Sequence, residues 1–142
     1  MKQLILFVLV LVTAVACKKS DQEASSPDPL FQHWKLVATK TGIGSWETVA
    51  DGSLMEFRAD GTIHYQKPEP ACCAPIRFER QPQTLKLTDF YSGGDCIYVD
   101  CAPPTAYNIV SLTADELILE NVQGAPYPGA ANQYAMKYKP SK

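Results

Sequence analysis

The chain lacks a hydrophobic run long enough to cross a bilayer as a helix. Its apolar run near the N-terminus, Leu4 to Ala16, is thirteen residues without a charge, against the roughly 20 that a spanning helix needs. It also lacks a surplus of positive charge: Lys and Arg number 13 against 15 Asp and Glu, for a formal net charge of −2. No like-charge block exceeds two residues, so the basic field that attracts phosphate backbones is missing and nucleic acid is excluded as an expected partner. Histidine is scarce, at His33 and His64 only. There is no G-x-S-x-G, no H-E-x-x-H and no P-loop, and Gly42-Ile43-Gly44 is followed by no helix that would make it a phosphate cradle. The acids Glu79, Asp89, Asp95 and Asp100 are scattered over strand ends, where carboxylates solvate rather than act in pairs. The expectation is a protein that is not an enzyme and takes no cofactor. Past the N-terminal run no segment has a 3.6-residue apolar period, which excludes a helical bundle.

What is present begins with that N-terminal run. Met1-Lys2-Gln3, with one positive charge, precedes the apolar stretch, and small or short residues (Ala14-Val15-Ala16) lead to Cys17. This is the layout of a secretory signal, too short to span, expected over 1–16. The seam resembles the lipobox of bacterial lipoproteins, in which the cysteine is lipidated on sulfur, the chain is cut before it and the new amine is acylated. Cys17 matches that cysteine, while Ala14 stands where the family most often has Leu. One acyl chain holds a protein only marginally at a membrane and several hold it firmly, so the resemblance implies a membrane partner reached through a lipid anchor. The segment after Cys17 (KKSDQEASSPDPL) has the polarity, Ser and Pro of a flexible tether, expected over 17–30. It also resembles, loosely, lipoproteins of the Bacteroidota, which follow the cysteine with Lys or Ser and then acids. Lys18 is not the Asp used for inner-membrane retention, so the outer membrane is expected, on either face.

Residues 31–142 read as one all-β domain. HWKLVATK (33–40) alternates and forms a first strand, followed by a long loop (41–52) that carries Trp46. In SLMEFRADGTIHYQ (53–66), a two-residue Asp60-Gly61 turn would put Met55 and Phe57 on the face opposite Ile63 and Tyr65. A three-residue turn, Ala59-Asp60-Gly61 with Gly61 left-handed, pairs Phe57 with Ile63 and gathers all four on one face. IRFER (76–80) and TLKLTDF (84–90) form a hairpin in which Ile76 and Phe78 face Leu85 and Leu87. CIYVDC (96–101) is expected to resume an extended strand, AYNIVSL (106–112) and ELILENV (116–122) form another hairpin, and QYAMKYK (133–139) places Tyr134, Met136 and Tyr138 on one face. An open sheet of that size would expose long edges; closing it as an up-and-down antiparallel β-barrel of about eight strands removes them. A two-sheet sandwich is the alternative.

The element order resembles lipocalin-like domains of bacterial lipoproteins: a tether, an opening Trp strand (HWKLVAT), a long first loop, an FRADGT hairpin, and late strands such as SLTADELILE and QYAMKYK. Gln32 stands where that family's first strand usually has Gly, and its helix after the barrel is missing. The resemblance implies that Trp34 plugs the closed end of the barrel and that Trp46 hangs over the open end as a lid.

Beyond Cys17 four cysteines remain, Cys72, Cys73, Cys96 and Cys101, and an exported chain is expected to oxidise them into two disulfides. The hairpin 76–80/84–90 brings Cys73 and Cys96 to one rim, so nested Cys73–Cys96 and Cys72–Cys101 bridges are expected. A metal site on these cysteines, or on His33 and His64, is disfavoured by the adjacent-Cys spacing. The function expected is a monomeric, membrane-anchored barrel that binds a small hydrophobic molecule, its interior lined by Met55, Phe57, Ile63, Tyr65, Phe78, Leu85, Leu87, Tyr134, Met136 and Tyr138, with Trp46 above. The alternative is a filled barrel that serves as a structural or protein-interaction module, since eight strands enclose only enough room for packed side chains or one small ligand.

Overall fold

In the computed structural model the described residues are 27–122 and 134–141. The expected signal sequence (1–16) and Cys17 lie outside them. The strands are β1 (His33–Thr41), β2 (Glu47–Thr48), β3 (Leu54–Phe57), β4 (Ile63–Lys67), β5 (Pro75–Gln81), β6 (Thr84–Phe90), β7 (Ala106–Leu112), β8 (Leu117–Val122) and β9 (Tyr134–Pro140), with one 3-10 turn at Gly94–Tyr98. Hydrogen-bonded order around the sheet is β4-β3-β1-β9-β8-β7-β6-β5, every pair antiparallel, with the two-residue β2 attached to β1. β9 returns to pair with β1 over most of its length. The path closes through the Thr62–Arg77 bridge and the Phe78 amide donating to the Gly61 carbonyl at 2.8 Å. The result is a nearly closed, eight-stranded up-and-down barrel, the architecture the alternation predicts.

The β3–β4 hairpin shows why FRADGT reads so clearly. Met55 pairs with Tyr65, Glu56 with His64 and Phe57 with Ile63. The Gly61 amide donates to the Arg58 carbonyl at 3.0 Å, and Gly61 has φ of +80°, a conformation that costs glycine little. Thr62 donates from both its amide (3.0 Å) and its hydroxyl (2.6 Å) to the Asp60 carboxylate. Those bonds hold Asp60 below its ordinary carboxylate range. Asp, Gly and Thr are therefore each required by the turn itself.

The connections divide the barrel into two unlike ends. At one end lie the tight turns 58–62, 82–83 and 113–116 together with residues 27–32; at the other lie the long connections 42–53, 68–74 and 91–105. The tight end is sealed earlier in the chain than expected. Leu30, assigned from sequence to the tether, is completely buried, and Trp34 beside it is equally so, its indole Nε1 donating to the Leu30 carbonyl at 2.9 Å. Asp28 caps the same turn by accepting from the Leu30 amide at 3.0 Å and pairs with Arg80 at 3.1 Å. The packed domain thus includes residues 28–30, and the expected boundary at 31 is too late.

Three further expectations are corrected. Residues 96–101 are not a strand: a 3-10 turn occupies Gly94–Tyr98, with the Cys96 amide donating to the Gly93 carbonyl at 2.8 Å. Gly93 makes room for this curl, since a Cβ there would meet the Tyr91 ring, where alternation alone suggests extension. The disulfides are crossed, Cys72–Cys96 and Cys73–Cys101, rather than the nested Cys73–Cys96 and Cys72–Cys101. Nesting followed from treating 96–101 as straight. Curling of that segment reorders its cysteines, and the left-handed backbone of Cys73 (φ +68°) within the turn 71–74 turns neighbouring side chains apart. Finally, register shifts between Pro75 and Phe78 leave Pro75 and Phe78 buried but Ile76 only half-buried, so Ile76 is not on the inner face with Phe78.

Candidate functional site: the barrel lumen and its loop-bearing end

Alternation fixes which side chains enter the barrel. Met55, Phe57, Ile63, Phe78, Leu85, Leu87, Met136 and Tyr138 form one buried cluster with Leu30, Trp34, Tyr107, Leu117 and Leu119, and Tyr65 and Tyr134 pack against it. Ten of the eleven residues expected to line the interior are therefore brought together, while Trp46 is not among them.

Burial is graded along the axis. Toward the tight end, Trp34, Phe57, Leu117 and Leu119 are 0–1% exposed. Toward the loop-bearing end, residues on inward-facing registers regain solvent: Tyr65, Tyr134, Asn121 and Thr39 are half-buried and Thr41 is exposed. Tyr134 pairs with Thr41 and Asn121 with Tyr107, which places Asn121 on the lumen side two residues above Leu119. The lower lumen is fully packed, and side-chain exposure rises toward the loop-bearing end.

Four tyrosines line the lumen, Tyr65, Tyr107 and Tyr134 in this upper region and Tyr138 lower, opposite Leu117. The Tyr65 hydroxyl donates to the Pro75 carbonyl at 3.0 Å, spanning the seam where β4 and β5 are joined by little backbone pairing, and the Tyr138 hydroxyl donates to Met136 Sδ at 3.2 Å. Burial pushes the phenols of Tyr65, Tyr107 and Tyr138 above the ordinary tyrosine value, and mutual proximity adds to it: Tyr107 acts on Tyr65, Tyr134 on Tyr107, and all three on Tyr138. Three of these phenols thus sit in a setting that resists negative charge. Among them Asn121 Oδ1 is buried and accepts no hydrogen bond from any described residue.

Trp46 is not a lid. Lys40 and Lys137 hold its indole between them, with Nζ at 5.4 and 4.6 Å from the ring centroid. Lys137 pairs with Ala38 and Lys40 with Ala135, registers opposite to those of the inward Met136 and Tyr138. Trp46 therefore lies against the outer wall. The two alanines of those pairs are themselves buried. A short β2 causes this: pairing Thr48 with Ala38 and Glu47 with Thr39 folds the first loop down along β1 instead of across the opening.

The rim is tied by the disulfides, which bind the β4–β5 connection to the β6–β7 connection. The Cys73 amide donating to Tyr91 O and the Tyr91 amide donating to Ala74 O extend the β5–β6 ladder into this knot. With all four sulfurs bridged, none is a thiolate ligand for a metal. His33 and His64 lie on the outer face around Glu56, whose carboxylate is held low by the hydrogen bond from Arg58, and His33 Nδ1 is 2.9 Å from Gln66 Nε2.

Sequence reasoning did not single out Leu30, Tyr107, Leu117, Leu119 and Asn121 as lumen residues. For Tyr107 the signal is present, since AYNI alternates as QYAMKY does; for Leu117 and Leu119 it is blurred by the apolar Ile118 between them, and for Leu30 a charged, prolyl neighbourhood masks it. No family model, no characterised protein and no solved structure matches the chain.

Proposed function

We propose that this chain is a lipid-anchored protein of the bacterial outer membrane, held through Cys17, whose barrel takes a small, largely apolar molecule at its loop-bearing end. The observation that carries the ligand reading is the gradient of burial along the lumen, from fully buried Trp34 and Leu119 to half-buried Tyr65, Tyr134 and Asn121. A lumen sealed below, aromatic in the middle and partly exposed at the top is the form of an apolar pocket with a few polar groups. The anchor rests on the apolar run ending at Ala14-Val15-Ala16-Cys17, and the similarity to lipocalin-like lipoproteins on the Trp34 strand and the FRADGT hairpin.

Titration with N-phenyl-1-naphthylamine, a neutral apolar fluorophore, tests the ligand reading; one saturable site is expected. Absence of saturable uptake favours the second reading, a filled barrel acting through its outer face. That reading draws on the completely packed lower half around Phe57, Leu85, Leu117 and Leu119. Metabolic labelling with palmitate tests the anchor: incorporation is expected in the native chain and lost in Cys17→Ser.

A further inference from the structure

Asn121 sits on the inner face of β8, paired with the inward-facing Tyr107 and two residues beyond the fully buried Leu119. Its Oδ1 is shielded from solvent and meets no donor among the described residues. A buried carbonyl-type oxygen without a partner is costly, and native structures seldom keep one without a reason. Leucine on the same register would have completed the apolar wall that Leu117 and Leu119 begin.

We infer that Asn121 Oδ1 is the polar anchor of the lumen, accepting a hydrogen bond from the hydroxyl or amide N–H of a neutral, otherwise apolar ligand whose body lies among Tyr65, Tyr107, Tyr134 and Met136. This rests on the lumen being a small-molecule site and names the ligand's head group. An ionised acyl carboxylate has no proton to give this oxygen. Arg80, a cation on an inward register opposite Leu85, stands at the tight end and is held there by Asp28. The elevated phenol values of Tyr65, Tyr107 and Tyr138 mark the same region as unfavourable to negative charge. A fatty alcohol, an isoprenoid alcohol or a primary amide fits these conditions.

The test uses the purified, disulfide-bonded protein loaded with N-phenyl-1-naphthylamine, displaced by 1-decanol or by its methyl ether, which has nearly the same shape and no donor. The alcohol is expected to displace the probe at about ten-fold lower concentration than the ether, the usual scale for satisfying a buried acceptor. In Asn121→Leu that preference is expected to fall within about two-fold; Asn121→Ala serves the same comparison if the leucine variant does not fold. Probe uptake with equal displacement by alcohol and ether, or an unchanged preference in the variants, overturns the assignment and leaves the small-molecule reading standing. No saturable uptake overturns both.

Discussion

The indole of Trp34 and the backbone of Leu30, four residues apart, close the barrel on themselves: Nε1 donates to the carbonyl at 2.9 Å and neither residue is exposed. The pair satisfies the one polar atom of a large buried side chain with a local carbonyl and fills the tight end with the preceding leucine. Leu30→Ala is therefore expected to cost about 2–5 kcal/mol, the range for a buried leucine truncation. Urea unfolding measures the loss. A cost below about 1 kcal/mol would mean that residues 28–30 are only laid against the domain.

A close approach of backbone to backbone sits two residues further along β1. A Cβ on Gly52 would overlap the Leu36 carbonyl, next to the register shift between Leu36 and Ala38, where the Leu36 amide donates to the Ser53 carbonyl at 3.0 Å. Gly52→Ala must push β1 and the first loop apart. A loss of about 1–3 kcal/mol is expected from overpacking, read as a lower urea midpoint.

Crossed disulfides make a prediction that peptide mapping alone cannot resolve, because Cys72 and Cys73 are adjacent. Paired variants separate the two connectivities. Cys73→Ser with Cys101→Ser leaves the natural partners Cys72 and Cys96, whose Cα atoms are 5.4 Å apart, and is expected to form one bridge by intact mass. Cys73→Ser with Cys96→Ser leaves Cys72 and Cys101 and is expected to keep both thiols free to alkylation. Removal of either natural bridge is expected to cost about 2–5 kcal/mol.

The buried phenols set the alkaline limit of stability. In the folded chain Tyr65, Tyr107 and Tyr138 ionise above the ordinary value of 10.0, chiefly through burial. Above about pH 10 the unfolded chain releases these protons and the folded chain keeps them, so the unfolded state gains. Stability is intact below pH 10 and then falls by up to about 1.4 kcal/mol per pH unit for each phenol. Absorbance at 295 nm is expected to show these three of the seven tyrosines ionising only together with unfolding. Smooth titration of all seven in the folded protein would contradict their burial.

Much of this architecture is legible in the residues because alternation is a local signal. Phe57 opposite Ile63 follows from choosing the turn that keeps four apolar side chains together, and Tyr134, Met136 and Tyr138 declare their face unaided. What escapes the sequence is decided at a distance. Trp46 reads as a lid until β2 pairs with β1 and lays the loop along the wall. Cys96 and Cys101 read as the two ends of a strand until the Gly93-Gly94 curl changes which sulfur each meets. Leu30 reads as tether because nothing nearby hints that Trp34 will turn back to take its carbonyl. Asn121 reads as one polar residue near a strand end, and only its register with Tyr107 places it inside.

The most direct test of an accessible lumen is uptake of N-phenyl-1-naphthylamine by Asn121→Trp set beside Trp46→Ala. Filling the upper lumen with indole is expected to abolish saturable uptake while the barrel still melts cooperatively. Removing the outer-wall tryptophan is expected to leave uptake unchanged. Uptake preserved in Asn121→Trp, or lost in Trp46→Ala, would contradict the account and move the site to the outside of the barrel.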